Sequence, residues 1–297
     1  MSSSISTYSI KDLERLTGIK AHTIRIWEQR YDLFKAERTK TNIRYYSNED
    51  LIFIINISLL NQSGIKISKI ALMSKADIQK TVLELNKNGS NLDLIITRLN
   101  IALLDFNETD FLSILEMQIQ QIGFERTIIE VCFPLLKNIG ILWLTNSLEP
   151  AQEHFASNLI CQKIIAEIDK IGGGNNSKKP LFLIANVEKE YHDIGLLFSS
   201  YLVKKNGFNV VYLGKNVPIS NILDFIEHKN PNYFISIFTS YPESEKIDDF
   251  IQAVQLKNKE IKMLFSGLQL QKRKNKKQKN VFCFFNINDF QSFINEI

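Results

Sequence analysis

Residues 21–46 read AHTIRIWEQRYDLFKAERTKTNIRYY, and this stretch decides the fold of the first part of the chain. Its first eleven residues, Ala21–Tyr31, have the pattern of a short helix that carries two arginines, Arg25 and Arg30. Such a helix is typical of proteins that place one helix in a groove of DNA. Residues 38–46 then bring further basic side chains together in a short extended pattern, which predicts a hairpin wing.

The segments on either side complete the same pattern. Upstream, Ser9 and Asp12 have the spacing of a capping box, and Thr17-Gly18-Ile19 ends the helix that it opens. Downstream, Ser47 and Asp50 repeat that spacing, which predicts a third helix running to about residue 62. The predicted order of elements is helix, turn, helix, basic wing and helix, which is a winged helix-turn-helix.

This order resembles the MerR family of transcription regulators, and the strings RIWEQRY and NIRYYS are similar to motifs of that family. The resemblance covers residues 7–75. It implies that the chain binds double-stranded operator DNA as a dimer, with Trp27 in the core rather than at the DNA. Carried over by position, the resemblance places Thr23 and Arg25 at bases or backbone, Arg38 and Arg44 at phosphates, and Tyr45 in the wing.

The distribution of charge agrees with a DNA-binding segment. The whole chain has a net charge of +4, but residues 1–75 hold 12 Lys and Arg against 7 Asp and Glu, whereas the rest holds 24 against 25. A concentrated positive charge provides the salt-sensitive part of nucleic-acid binding. The sequence shows neither a secretory signal pattern nor a long apolar segment, so a cytoplasmic location is expected.

The cysteines exclude two classes of site. Cys132, Cys161 and Cys283 are an odd number of thiols without CxxC spacing, so neither a disulfide framework nor a thiolate metal site is expected. Many MerR relatives sense metals through paired cysteines near a coiled coil, and the segment after residue 75 lacks both the pair and sustained heptads. Metal sensing is therefore not expected.

Composition divides the rest of the chain. Residues 172–180 (GGGNNSKKP) can neither continue a helix nor pack a core, and this indicates a linker. Upstream, helical spacing of apolar residues predicts a bundle; downstream, short apolar runs alternate with amphipathic stretches, as in a parallel sheet. We expect a multidomain α and α/β chain: a winged helix at 1–76, a helical bundle at 77–171, the linker, and a flavodoxin-like doubly wound sheet at 181–297.

One loop of the predicted sheet carries an E-x-H-x-x-G pattern, formed by Glu190, His192 and Gly195 after the first strand at residues 180–186. In an open α/β sheet, ligands bind at the loops that follow the strands. A histidine there can present one ring nitrogen to a metal, while a carboxylate, Glu190 or Asp193, holds the other nitrogen and fixes the tautomer. Gly195 would allow a bulky ligand to approach the helix.

The pattern resembles the DxHxxG motif of cobalamin-binding domains. The resemblance implies that His192 is the lower axial ligand of cobalt, with Ser236 on the third strand and Gly267 after the fourth at the nucleotide tail of the cofactor. The second strand is expected at 210–213, with Leu213-Gly214 and Val217-Pro218 following it. Two positions depart from the family pattern. Glu190 replaces Asp, and Ser266 stands where a second glycine usually admits the nucleotide tail, so the fit of the tail at that end of the pocket is in doubt.

The predicted bundle carries a second pattern. Trp143 ends one helix and is followed, after nine residues, by Glu153 and His154 in the next, as in the W-x9-E-H motif of CarH-type photoreceptors. The resemblance implies a bundle that caps adenosylcobalamin, with Trp143 against the adenosyl group, Glu153 at a ribose hydroxyl and His154 ligating cobalt from above after photolysis. It further implies a repressor whose dark homo-oligomer, a dimer or tetramer, dissociates in light.

Two rival functions remain. An enzyme is not expected, because cobalamin mutases and methyltransferases need a barrel of about 250 residues that this chain cannot accommodate. A cobalamin-independent MerR-type regulator controlled by a protein partner would keep the same fold, and Ser266 supports that alternative. The lysine-rich run at 272–279 is interpreted as a solvated loop rather than a second nucleic-acid site.

Overall fold

The computed structural model describes residues 7–39, 41–85, 92–144, 150–172, 178–273 and 278–297. The chain forms two compact units, at residues 1–159 and 160–297, and the boundary between them falls within one helix. The predicted division at residues 76, 171 and 180 stays a prediction, and the centre of the predicted linker lies outside the described residues.

The first unit begins with two helices joined by a tight turn. Helix α1 (Ile10–Thr17) has the predicted capping box, in which the Asp12 amide donates to Ser9 Oγ at 3.3 Å and the Ser9 amide donates to Asp12 Oδ2 at 2.8 Å. It ends at Gly18, whose φ of 70° suits a residue without a Cβ atom. Helix α2 (Ala21–Tyr31) follows after two more residues, which confirms the predicted helix-turn-helix.

A small antiparallel hairpin follows α2. Strands β1 (Glu37–Arg38) and β2 (Arg44–Tyr45) pair with each other, and a bridge between Tyr8 and Tyr46 joins the end of the hairpin to the start of the domain. Helix α3 (Asn48–Gln62) begins with the second predicted capping box, formed by Ser47 and Asp50. Trp27 is 5% exposed, which confirms its predicted place in the core of this domain.

The remainder of the first unit is helical. Two of its segments, Phe124–Thr127 and Phe133–Leu144, are joined by a π-helical turn at Ile128–Cys132. The last helix continues past residue 159 into the second unit. In chain order the helices are α4 (Ile67–Ile70), α5 (Lys75–Leu85), α6 (Leu92–Leu104), α7 (Glu108–Ile122), α8 (Phe124–Thr127), α9 (Phe133–Leu144) and α10 (Pro150–Ile171).

The second unit is built on a five-stranded parallel sheet. Its spatial order is β4-β3-β5-β6-β7. The first strand of the unit, β3, therefore lies second: β4 is added on one side of it, and β5, β6 and β7 are added in turn on the other side. This is the flavodoxin-like order, and it confirms the predicted fold class. The strands are β3 (Leu181–Val187), β4 (Asn209–Val217), β5 (Tyr233–Ile237), β6 (Lys262–Ser266) and β7 (Val281–Phe284).

Helices cover both faces of the sheet. Helices α11 (Ile194–Lys205) and α14 (Ile287–Asn295) contact each other on one face. Helices α12 (Ile219–Lys229) and α13 (Ile247–Lys257) contact each other on the opposite face. The core under α12 and α13 is rich in phenylalanine: Phe234, Phe238 and Phe265 are fully buried. This arrangement leaves the loops at the carboxyl ends of the strands as the accessible edge.

Strand β4 is longer than the sequence predicted. We expected it to end at residue 213, with Gly214 and Val217 beyond it, but the pairing with β3 continues to Val217. Gly214, at φ 84°, and Asn216, at φ 56°, accommodate irregularities in the register that let the strand continue. The extension carries β4 alongside the loop of residues 187–190.

Among the helices in the described ranges, none combines the length and the apolar composition that are needed to cross a membrane. The lysine-rich run begins at the end of a 3₁₀ turn, Leu268–Arg273, and meets β7 through a bridge between Gln278 and Val281. Its central residues, 274–277, lie outside the described residues.

Replacing Ser47 with alanine tests the second capping box. Ser47→Ala removes the acceptor for the Asp50 amide, so the free energy of unfolding should fall by about 1 kcal/mol. Urea unfolding followed by tryptophan fluorescence measures this, because Trp27 is buried in the same domain. Ser68→Ala, at an exposed position of α4, is the control and should change stability by less than about 0.5 kcal/mol. Equal midpoints for the two variants would contradict the capping role.

Candidate functional site

His192 lies in the loop between β3 and α11, at the carboxyl edge of the sheet. Its Nδ1 atom is 2.6 Å from Oε1 of Glu190, and its backbone amide donates to the same oxygen at 3.1 Å. The Glu190 side chain is completely buried, whereas 60% of the His192 side chain is exposed. The loop therefore presents an imidazole outward from a buried carboxylate.

The second oxygen of Glu190 is held by the loop that follows β5. Oε2 accepts hydrogen bonds from three successive backbone amides, those of Thr239 at 2.8 Å, Ser240 at 2.7 Å and Tyr241 at 3.0 Å. Burial by itself raises the pKa of the Glu190 carboxyl, but the hydrogen bonds from His192 and these amides outweigh it and lower the pKa to about 2. Glu190 is therefore ionised at neutral pH.

This ionisation determines the tautomer of His192. Because the carboxylate can only accept, Nδ1 carries the proton, and the neutral ring has its lone pair on Nε2. An imidazole oriented in this way by a carboxylate is a common metal ligand. The His192 imidazole, with its tautomer fixed by Glu190, thus fits a cobalt-containing cofactor such as cobalamin, which would supply the metal.

Asn186 is a residue of this site that the sequence reading missed. It is the next-to-last residue of β3 and is fully buried. Its Nδ2 atom donates to the carbonyl oxygen of His192 at 2.8 Å, and its Oδ1 atom accepts from the Ile237 amide at 2.8 Å. Ser236 also donates to Asn186 Oδ1, at 3.3 Å. A polar residue in an otherwise apolar strand was the only signal in the sequence.

Asp193, the other candidate carboxylate of this loop, contacts a different set of groups. Its carboxylate pairs with Nζ of Lys215 at 2.9 Å and accepts a hydrogen bond from the Cys161 thiol at 3.7 Å. Burial raises the pKa of the Cys161 thiol to about 12, with a further contribution from Asp193, so the thiol is protonated. Of the two carboxylates that the sequence left open, the structure brings Glu190 to the ring.

The two predicted glycines of the site lie where the backbone is crowded. A Cβ atom on Gly195 would be 2.9 Å from Cδ1 of Ile237, and one on Gly267 would be 2.2 Å from the carbonyl oxygen of Phe238. Gly267 also has a φ of 114°, which side chains rarely allow. Ser266, the departure from the family pattern, donates from Oγ to the Phe284 carbonyl at 2.9 Å and so links β6 to β7. The fold itself requires Gly267.

The residues of the W-x9-E-H pattern lie in the first unit. Glu153 and His154 are in the first turns of α10, and His154 Nδ1 is 2.9 Å from Glu153 Oε2. The His154 side chain is 71% exposed and that of Glu153 is 37% exposed. Trp143 is in the last turn of α9, but its side chain lies outside what the structure describes. The pairing of these residues with the sheet domain stays a prediction.

The predicted DNA-binding residues differ in their surroundings. Arg25 is exposed on α2, whereas Thr23 is half-buried. Arg38 is exposed, and its Nη1 atom donates to Asn42 Oδ1 at 2.6 Å. Arg44 and Tyr45 are half-buried, and both make contacts inside the domain.

Those contacts join the wing to the rest of the domain. Arg44 Nε is 3.2 Å from Oε2 of Glu28, and the other oxygen of Glu28 accepts from the Ala36 amide at 3.1 Å. Glu28 lies on α2, so it connects the predicted recognition helix with both ends of the wing. The Tyr45 hydroxyl donates to Glu37 Oε2 at 2.5 Å within the hairpin, and this hydrogen bond raises the pKa of Tyr45.

Comparisons with known proteins bear on both sites. Residues 8–77 match the family of MerR HTH regulatory proteins, and residues 95–166 match a B12 binding domain family. The chain combines a MerR helix-turn-helix domain with a B12 binding domain. The B12 match covers the helical segment of the chain, including Trp143, Glu153 and His154.

Two relatives are similar over most of their length. The HTH-type transcriptional repressor CarH of Myxococcus xanthus is 23% identical over 222 residues, which are 73% of this chain and 73% of that protein. The repressor CarA of the same organism is 24% identical over 246 residues, covering 78% and 81%. The monomethylamine corrinoid protein of Methanosarcina barkeri, at 16% identity, shares the fold with a TM-score of 0.56 over 70% of this chain and 99% of that one.

These matches confirm the predicted combination of domains and the predicted function as a DNA-binding transcription regulator with a cobalamin-binding module. They do not favour the alternative of a cobalamin-independent regulator. The roles of the individual site residues are not tested by them and stay predictions.

Replacing Glu190 with glutamine tests the buried carboxylate. Glu190→Gln removes the charge and one of the two acceptor oxygens, so buried donors lose their partner and the free energy of unfolding should fall by about 3 kcal/mol. Urea unfolding followed by far-UV circular dichroism measures the loss. Glu188→Gln makes the same change two residues away, at a half-buried side chain, and should cost less than about 0.5 kcal/mol. An unchanged midpoint for Glu190→Gln would show that the carboxylate does not hold the two loops.

Proposed function

We propose that this chain is a transcriptional repressor that binds operator DNA through its winged helix and binds adenosylcobalamin with His192 as the lower ligand of cobalt. One observation carries the cofactor half of the proposal: an exposed imidazole whose Nδ1 atom is held at 2.6 Å by a fully buried carboxylate at the carboxyl edge of a parallel sheet. The similarity to the repressors CarH and CarA supports the regulatory half.

On the lower side, each residue has a distinct task. Glu190 keeps the proton of His192 on Nδ1, so that Nε2 is the atom directed to cobalt. Asn186 holds the carbonyl of His192 and so fixes the loop relative to β5. We assign Gly195, Ser236 and Gly267 to the nucleotide tail because of the resemblance to cobalamin-binding domains, and Ser266, where a second glycine is usual in those domains, donates its hydroxyl to the Phe284 carbonyl.

On the upper side, we assign Trp143, Glu153 and His154 to the cap. Glu153 can accept a hydrogen bond from a ribose hydroxyl, and His154 can donate its imidazole nitrogen to a metal. His154 Nδ1 and Glu153 Oε2 are 2.9 Å apart, so a ligand bound through either side chain would replace their contact with each other. Bound adenosylcobalamin would supply a cobalt-carbon bond that visible light breaks, and this makes light the proposed signal.

The DNA-binding half of the proposal uses Thr23, Arg25, Arg38, Arg44 and Tyr45. Two such domains in one homo-oligomer, a dimer or tetramer, bind paired half-sites more tightly than either alone, because the second contact is intramolecular. Loss of the oligomer would release the operator. We place the protein in the cytoplasm, where such regulators meet DNA, and assign it no enzymatic reaction, in keeping with the regulators it is similar to.

Cofactor binding is tested by size-exclusion chromatography with absorbance detection. Protein mixed with adenosylcobalamin in the dark should elute with the cofactor as a larger species, and green light should make that species smaller. His192→Ala should reduce the amount of co-eluting cofactor at least about tenfold, because loss of a metal ligand, or of the group that orients it, weakens metal binding by that much. His228→Ala, an exposed histidine on α12, should behave as the unchanged protein.

The outcomes separate the parts of this proposal. Methylcobalamin and hydroxocobalamin, run in parallel, decide whether the adenosyl group is required. Absence of any co-eluting cobalamin would refute the cofactor half. Co-elution that is unaffected by His192→Ala would refute the ligand assignment, and a species that keeps its size in light would refute light as the signal.

The DNA half is tested by the salt dependence of binding to a duplex of mixed sequence. Arg38 is exposed, so Arg38→Ala should reduce the slope of log K against log salt by about 0.9, the value for one phosphate contact. Arg44→Ala should reduce the slope less, because Arg44 is half-buried and paired with Glu28. Arg126→Ala, an exposed arginine of the bundle paired with Glu130, is the control. Equal slopes for Arg38→Ala and Arg126→Ala would contradict a wing at the DNA.

A further inference from the structure

Helix α2 exposes one continuous face. His22, Arg25, Ile26, Gln29 and Arg30 are all exposed, and their spacing of three and four residues places them on the same side of the helix. Ile26 is 47% exposed. An aliphatic side chain therefore lies at the centre of a face that also carries two arginines.

The buried face of α2 fixes the orientation of its exposed face. Ile24 is fully buried and Trp27 is 5% exposed. Glu14 of α1 accepts a hydrogen bond from the Ala21 amide at 3.2 Å, at the first residue of α2, and Glu28 holds the wing. The helix cannot rotate about its axis without breaking these contacts, so Ile26 stays at the surface.

Exposure alone would not single out Ile26, since isolated surface apolar residues are common. Its position does, because the face belongs to a basic helix-turn-helix domain and Arg25 and Arg30 flank it. Such a face is complementary in charge to the phosphates that border a DNA groove. The major groove admits a helix, and the one apolar group that base edges display there is the methyl group of thymine.

We infer that Ile26 is a specificity-determining residue that contacts a thymine methyl group in the major groove, so that the operator carries thymine at one fixed position. The inference rests on the proposed DNA-binding function. The branched side chain of Ile26 covers the methyl group and excludes water from both. A cytosine at that position offers an amino group and no methyl, and leaves Ile26 against a polar edge.

The test begins with the full-length protein and a pool of randomised duplex DNA, from which bound sequences are enriched. Each thymine of the enriched site is then replaced singly by deoxyuridine, which removes only the methyl group. For the unchanged protein, one replacement should weaken binding about fourfold, the value for burying one such group. For Ile26→Ala the same replacement should not change binding. For Ile26→Val it should still cause most of the weakening that is seen with the unchanged protein.

Ile43 provides a matched control. It is an isoleucine that is 62% exposed at the tip of the wing, in the same domain but away from α2. Ile43→Ala should keep the full response to deoxyuridine, whatever it does to overall affinity. Circular dichroism should show the same helix content for Ile26→Ala as for the unchanged protein, because Ile26 lies on the exposed face of α2 and alanine favours a helix.

The outcomes distinguish this inference from the function on which it rests. If the protein enriches a site but no deoxyuridine replacement weakens binding, or if Ile26→Ala responds as the unchanged protein does, the inference is wrong and sequence-specific DNA binding stands. If the protein enriches no site at all, the proposed operator-binding function fails as well.

Discussion

The loops at the carboxyl edge of the sheet depend on a charge that is buried beneath them. The carboxylate of Glu190 is completely buried, a state that costs several kcal/mol for an ion without partners. Its partners come from two loops: the His192 amide and ring from one, and the amides of residues 239–241 from the other. The strands β3 and β5 are neighbours in the sheet, so the carboxylate joins two loops that the topology already brings to the same edge. The exposed imidazole has a defined orientation only because this ion is satisfied.

Local sequence rules sufficed for much of this molecule. The capping residues Ser9 and Ser47, the helix at Ala21–Tyr31 and the alternation of strands with helices follow from propensity and periodicity, which act over a few residues. The parallel sheet followed from that alternation, because parallel strands in one sheet need crossover connections, which are usually helices. The E-x-H-x-x-G pattern indicated the loop of His192 because it is also local: its residues lie within six consecutive positions, 190–195.

The contacts that the sequence did not reveal join residues far apart in the chain. Glu190 meets amides about 50 residues away, and Asn186 meets Ile237 at a similar separation. Neither pairing has a local pattern, because backbone amides look alike in any sequence. The end of β4 was mispredicted for a related reason: its last residues pair because irregularities at Gly214 and Asn216 restore the register with β3. Arg44 was expected to be available to phosphates, and only the folded wing shows that Glu28 lies beside it.

The bridge made by Glu28 has a consequence for the energetics of recognition. Helix α2 and the wing are fixed relative to each other before any duplex arrives, so the conformational entropy of aligning them is lost during folding and not during association. If α2 and the wing both contact a duplex, as proposed, their fixed connection would also set the distance between the two contacts. Sequences that bend or twist easily to that distance would be bound at a lower deformation energy, so base pairs that no side chain touches would contribute to the choice of operator.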